Sequence, residues 1–485
     1  MKNILLSSAS RQLKLIRNGT IKPSELLNLY FDQIEKLNDK INAIIWMDKE
    51  YAYREAKKLD EDIVKQNWRG PLHGLPVTVK ESFDIKEAPS TWGNPKLKNH
   101  KAKADSDVVK RLKKAGAIVF GKSNVPLQLA EWQTFNKVYG TTNNPWDLTR
   151  TPGGSSGGSA AALASGMTAL EVGSDIGSSI RNPAHYCGVF GLKPTYNVVS
   201  TKGHGAEDWH VSTDISVAGP LSRSAADLKI AFDVIKGPSN FVSDAWSLNL
   251  REDKRKKLKD FKVGVFLDHE ESPIEKSYKN ILTNFVEKIN ACGAEVKYNE
   301  IPKIDNSLHF TIYLKLLGAA LSGRTPKETY EEQLEDIKTL NNEKIMRVSG
   351  NRTKGLGILH RDQLNLINQR LKHRLVFDDY FKEIDVLITP VASSSAFKHN
   401  QNGPRHRRFL NINGISQPEN LQLFWSGYSG VVGLPSVVGP AGFDNSLPVG
   451  YQAISGFGRD YTALAFAIAV EKEIFRFNCP KISIS

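Results

Sequence analysis

Two neighbouring runs decide the reading. The first is Thr151-Pro152-Gly153-Gly154-Ser155-Ser156-Gly157-Gly158-Ser159-Ala160-Ala161-Ala162-Leu163-Ala164-Ser165-Gly166. The second is Leu170-Glu171-Val172-Gly173-Ser174-Asp175-Ile176-Gly177-Ser178-Ser179-Ile180-Arg181-Asn182-Pro183-Ala184. The Gly/Ser run at 153–159 is no interdomain tether, because it passes straight into strong helix formers at 160–164. It is a glycine-rich turn opening a small-residue helix over about 156–165, which Gly166 ends. A strand over about 169–173 then leads into a second Gly/Ser turn. Both turns can lie at the same end of neighbouring elements, the edge where open α/β sheets form ligand sites. Backbone N–H groups at such turns can hold a developing negative charge, as an oxyanion hole for acyl transfer requires. Serines beside those donors are candidate nucleophiles, but a serine needs a base.

A base is available without histidine. Gly74-Leu75-Pro76-Val77-Thr78-Val79-Lys80-Glu81 sets a lysine directly after an apolar strand. Burial would disfavour its ammonium form, so a neutral Lys80 could accept a proton near pH 7. Position alone also fits an exposed lysine at a strand end.

The flanking chain alternates in type. Residues 23–37 read as an amphipathic helix, with Leu26, Leu27, Tyr30, Phe31 and Ile34 on one face and Pro23 at its start. A basic helix over 107–115 precedes a buried strand at 117–120. Further strands are expected at 261–266, 294–298 and 384–389, with a helix at about 275–289. This rhythm places the chain in the α/β class. The polar stretch from about 305 to 380 reads as a helical insertion. No linker divides the 485 residues, so a single domain is expected.

Composition narrows the function. Hydrophobic residues make up 40% and charged residues 24%, enough for a large core. No apolar run reaches the roughly 20 residues of a membrane span, and the N-terminal apolar stretch is too short for a signal peptide. A cytoplasmic location is the expectation. Cys187, Cys292 and Cys479 are too scattered for a disulfide framework or a cysteine-based metal site. The net charge of +13 raises nucleic acid as a partner. However, the basic clusters at 96–103, 254–259 and 405–408 lack interleaved aromatics, and read as solvated surface.

Together these segments resemble the amidase-signature family. That family pairs a lysine in Gly-[Val/Leu]-Pro-x-x-x-Lys with a Gly-Gly-Ser-Ser-Gly-Gly-Ser turn. Next comes Gly-[Ser/Thr]-Asp-x-Gly-Gly-Ser-Ile-Arg, then Pro-Ala and Cys-Gly-x-x-Gly-x-Lys-Pro-Thr. This chain supplies all of them in order, ending Cys187-Gly188-Val189-Phe190-Gly191-Leu192-Lys193-Pro194-Thr195, and keeps Ser155 and Ser179 24 positions apart. The resemblance implies a large mixed central sheet with helices on both faces, and a Ser-Ser-Lys triad. Ser179 would form the acyl enzyme, Ser155 (on a cis peptide in the family) would bridge to Lys80, and neutral Lys80 would move the proton. The backbone N–H groups of Ile176, Gly177, Ser178 and Ser179 would form the oxyanion hole, with Ser156 and Asp175 in support. No cofactor and no metal is implied. One position departs from the pattern: Ser178 stands where the family has glycine, which costs strain if φ there is positive.

Glu131, Trp132, Trp209 and Trp425 are candidate walls for an acyl pocket, although large aromatics more often serve as core. The Glu131-Trp132-Gln133 segment is more similar to broad bacterial amidases and fatty-acid-amide hydrolase than to the tRNA enzyme, and implies an apolar or aryl acyl group. The expected partner is a small-molecule amide, with no nucleic acid and no membrane span; a homodimer stays open. Two alternatives stand beside amide hydrolysis: an amidotransferase-type subunit working with partner chains, and a homologue silenced at Ser178. Gly154-Ser155-Ser156-Gly157-Gly158 also fits the nucleophile elbow of α/β-hydrolases, but that motif needs a strand just before it and a histidine such as His204, His210, His360, His373 or His406.

Overall fold

The apolar runs and amphipathic stretches assemble into two sheets and their covering helices in a computed structural model, which describes residues 2–205, 209, 211–239, 242–340 and 342–482. The strands that matter are β1 (Ile44–Met47), β2 (Pro76–Lys80), β3 (Ile118–Ser123), β4 (Glu171–Asp175), β5 (Phe190–Lys193) and β6 (Val217–Ser222). They continue with β7 (Lys262–Val265), β8 (Glu295–Tyr298), β9 (Val386–Thr389), β10 (Ser436–Asp444) and β11 (Leu447–Ile454). Eight form one sheet in the order β8-β7-β9-β11-β10-β5-β6-β4. β8, β7 and β9 run parallel, and every pairing from β9 to β4 is antiparallel. This is the expected mixed sheet. The strand before Lys80 lies outside it, in a second sheet of order β1-β3-β2. There β2 and β3 run parallel, with Lys80 opposite Ser123.

The helices that matter are α1 (Pro23–Ile41), α2 (Asp107–Lys114), α3 (Gly157–Ala164), α4 (Arg181–Cys187), α5 (Ala225–Ile235), α6 (Lys276–Ala291), α7 (Asn306–Ser322), α8 (His360–Glu383) and α9 (Asp460–Glu473). Side-chain alternation along β10 shows which face each covers. Val437 packs with Leu228, Phe232, Leu464 and Ala467 of α5 and α9. Its neighbour Val438 packs with Ala160, Leu163, Ala164, Ala184 and Cys187 of α3 and α4. The two glycine-rich turns that open α3 and precede α4 therefore sit on one face. α3 is buried along its whole length, which its Gly, Ala and Ser composition permits. Close approach requires glycine here: a Cβ on Gly154 would meet the Glu131 carbonyl oxygen at 2.3 Å, and one on Gly158 the Asn124 nitrogen at 2.3 Å.

The 305–380 stretch is helical, and α7 carries Tyr313 to the site. No described helix is long and apolar enough to cross a membrane. The basic clusters divide. Lys254, Lys256, Lys257 and Lys259 are exposed as expected. Arg405 and Arg408 correct the surface reading: they are largely buried and pair with Glu419 at 3.0 Å and Glu131 at 2.9 Å. One carboxylate 277 positions from its partner, Glu131 at Arg408, and one 14 positions away, Glu419 at Arg405, turn a surface pattern into an internal one.

Candidate active site

The end of β2 faces the end of β4. Lys80 is fully buried, with Nζ 2.6 Å from Ser155 Oγ and donating to Ser174 Oγ at 2.9 Å. Burial drives its pKa down to about 7, although the charges of Asp175, Glu171 and Glu81 oppose the shift. At neutral pH a large fraction of this amine is unprotonated. The Gly154–Ser155 peptide is cis. The two turns are joined where the Ser156 N–H donates to the Ser179 carbonyl at 3.0 Å. Among the turn serines, Ser179 is the most open at 5% exposure, against 1% for Ser155 and 0% for Ser156 and Ser178.

Asp175 organises the second turn. Its carboxylate accepts from the N–H groups of Ser178 (3.0 Å), Ile180 (3.0 Å) and Arg181 (3.2 Å), and pairs with the Arg181 guanidinium at 2.8 Å and 3.0 Å. Both side chains are wholly buried. Burial pushes the Asp175 carboxyl up, but Arg181 and the amide donors outweigh it and hold the group below the ordinary carboxylate range. Ser178 N–H is thus engaged by Asp175, which removes it from the four amides expected to face an oxyanion. The amides of Ile176, Gly177 and Ser179 donate to no acceptor among the described residues.

Two side chains fix the peptide planes of this turn. Tyr313 donates to the Ile176 carbonyl at 3.0 Å, and Trp132 Nε1 to the Gly177 carbonyl at 2.7 Å. In a trans peptide the C=O and the following N–H point in opposite directions. Tyr313 therefore aims the Gly177 N–H away from α7, and Trp132 aims the Ser178 N–H back at Asp175. At 1% exposure Trp132 is a brace for the turn and not a pocket wall. Trp425 is likewise corrected: it is fully buried in the core, with Nε1 donating to the Ser272 carbonyl at 3.0 Å. Glu131 is tied to Arg408, and Trp209 lies beside Arg324.

Ser178 has φ +71°, the left-handed region, and its buried hydroxyl has no partner. Both features penalise serine. Ser178→Gly is expected to raise the urea unfolding free energy by about 1 kcal/mol, with relief of strain and of the buried hydroxyl exceeding the glycine entropy cost. An unchanged or lower value would mean that the turn carries no strain.

Sequence reasoning missed four participants. Ser174 was within reach of the strand alternation, which puts it on the face of β4 opposite to Glu171 and Asp175. Tyr313 and Arg181 were not, since their partners are fixed only by folding. Glu171 is fully buried and accepts from Thr78 Oγ1, while its Oε2 has no partner. Burial raises its pKa to about 7, against the hydrogen bond of Thr78. Its charge raises the Lys80 pKa. Glu171→Gln keeps an acceptor for Thr78 and removes that charge. The midpoint of the kcat/KM–pH profile is expected to move to lower pH by on the order of one unit. An unmoved or upward-shifted midpoint would separate Glu171 from Lys80.

Among the described residues no histidine serves the elbow arrangement. His373 contacts His309, His406 contacts Asp336 and His204 packs on Phe83 and Trp92, while none of these or His360 hydrogen-bonds to Ser155 or Ser179. His210 lies outside the described residues. Among the described residues no group of His, Cys, Asp and Glu is placed to hold a metal ion.

Comparison with known proteins identifies the family. The sequence model described as Amidase matches residues 25–464. The chain belongs to the amidase family. It is 30% identical over 486 residues to a glutamyl-tRNA(Gln) amidotransferase subunit of Natranaerobius thermophilus, covering 96% of this chain and 95% of that one. The crystal structure of the corresponding amidotransferase subunit from Thermotoga maritima superposes with a TM-score of 0.77 at 26% identity, covering 98% of each chain. Fatty acid amide hydrolase shares the fold, with a TM-score of 0.80 at 20% identity over 98% of this chain and 86% of that one. The curated relatives matched by sequence bear the name of an amidotransferase subunit, whereas the solved structures that share the fold also include an amidase and fatty acid amide hydrolase.

Proposed function

We propose that the protein cleaves a carboxylic amide through an acyl enzyme on Ser179. The observation that carries this reading is a fully buried amine, Lys80, with a pKa near 7 and 2.6 Å from Ser155 Oγ. Ser179 Oγ attacks the amide carbon as its proton passes to Ser155, whose own proton passes to Lys80 Nζ. The carbonyl oxygen, now negative, is held by the free N–H groups of Ile176, Gly177 and Ser179. The C–N bond then breaks, and the proton returns from Lys80 through Ser155 to the leaving nitrogen. Water enters by the same relay, and the acid departs. The neutral amine suits this task because its proton affinity matches the working pH.

A second reading concerns the fate of the nitrogen. The relatives named as amidotransferase subunits, which this chain matches nearly end to end, favour an amidotransferase-type subunit that shares the acyl-enzyme half-reaction and acts with partner chains. The test is a panel of simple amides incubated with the purified chain alone, with a fluorophosphonate to label Ser179. Labelling with turnover supports the hydrolase. Labelling without turnover of any amide favours the subunit reading. No labelling at all would leave the silent homologue.

A further inference from the structure

Beyond the end of α7, roughly 15 Å from Tyr313 at 1.5 Å per residue, Arg324 sits in an aromatic enclosure. Its Cζ lies 4.6 Å from the Trp92 ring centre and 5.5 Å from that of Trp209. Trp209 presses so closely on the helix end that a Cβ at Gly323 would meet its ring at 2.3 Å. His204 packs at 4.6 Å on Phe83 and 5.2 Å on Trp92. The enclosure is joined to the catalytic strand: the Trp92 N–H donates to the carboxylate of Glu81, the residue after Lys80, at 2.9 Å. The charges of Lys80 and Arg324 both reach His204 and, with burial, keep it neutral.

The balance of donors and acceptors here is one-sided. The Arg324 guanidinium donates to Thr213 Oγ1 at 3.1 Å and forms no ion pair among the described residues; burial is what acts on its pKa. Arg324 Nε, Trp92 Nε1, Trp209 Nε1 and His204 Nε2 are all shielded from solvent and have no partner among the described residues. Unpaired buried donors are costly, and the half-buried Arg324 guanidinium has no carboxylate against it among the described residues. The missing partner is an acceptor with negative charge, and the flat indole faces suit a hydrocarbon or aryl stem beside it.

We infer that Arg324, Trp92, Trp209 and His204 form an anion subsite that holds a carboxylate carried by the amide substrate. The inference rests on the acyl-enzyme reading and narrows its substrate to anionic amides, in place of the plain apolar or aryl acyl group expected from sequence.

Three anilides test it: N-phenylsuccinamic acid, with the carboxylate on the acyl side; 4-(butyrylamino)benzoate, with it on the amine side; and uncharged butyranilide. Wild-type kcat/KM is expected to favour one acid over butyranilide by about tenfold or more, the worth of a charge-assisted hydrogen bond. Which acid is favoured identifies the end of the substrate that is held. Arg324→Gln should bring the ratio towards one, and Arg324→Lys should keep part of it. A wild-type ratio near one for both acids, or a ratio that Arg324→Gln leaves unchanged, overturns the subsite. Calorimetric titration of the Ser179→Ala chain with the same compounds reads the preference without turnover. If neither acid binds more tightly than butyranilide, the subsite is overturned even where no Arg324 variant folds. Preferential binding of an acid with no turnover of any anilide by the wild type would sink the hydrolase reading alone.

Discussion

Ser179→Ala is expected to reduce amide turnover at least 10⁴-fold, and combining it with Lys80→Ala should cost little more, because nucleophile and relay act as a unit (on the order of the loss seen for other serine hydrolases). Lys80→Ala alone should lose about 10³-fold or more, since Ser155 would have no acceptor for its proton. In the wild type kcat/KM should rise with pH and level off above about 7. The sign follows from the chemistry: the active form is the unprotonated amine, and burial sets its pKa near 7. Steady-state kinetics on the two single variants and the double variant decide the matter. Multiplicative losses, or activity that falls as pH rises through 7, would show that Lys80 is not the base for Ser179.

The second large effect is on stability. Asp175→Ala is expected to destabilise the chain by about 3–5 kcal/mol, because it strands a wholly buried guanidinium and frees three turn amides. Arg181→Met leaves the converse, a buried carboxylate that still has its amide donors, and should cost less. Removing both should cost less than the sum of the two, since neither charge is then left unpaired. Urea unfolding of the three variants measures this. Additive losses would mean that the pair does not act as one element. Activity should fall with Asp175→Ala as well, because the Ser178 amide would be released from the carboxylate that shapes the turn.

Much of this was legible in the sequence because it is local. Glycine spacing, the run of small residues and the apolar run before Lys80 pointed to a helix over about 156–165, strands over 77–79 and about 169–173, and two serine turns awaiting a base; the structure has them at 157–164, 76–80 and 171–175. Resemblance supplied the pairing of those turns and the mixed sheet. What local pattern could not supply was the partner of each polar group. The Trp132 indole reads as a pocket wall until folding brings it to the Gly177 carbonyl, 45 positions on. The basic run at 405–408 reads as surface until Glu131 and Glu419 meet it. The Ser178 amide reads as an oxyanion donor until Asp175 takes it.

The sequence by itself determined the two glycine- and serine-rich turns and the apolar strand before Lys80, since these backbone conformations are written in neighbouring glycines and apolar residues, and the resemblance then singled out Lys80, Ser155 and Ser179 as candidates. Only the tertiary structure decided that burial lowers the proton affinity of the amine, which amides remain free and where a cation without an ion pair sits. Burial and partner choice depend on what packs against a group, and many of those neighbours lie tens to hundreds of residues away.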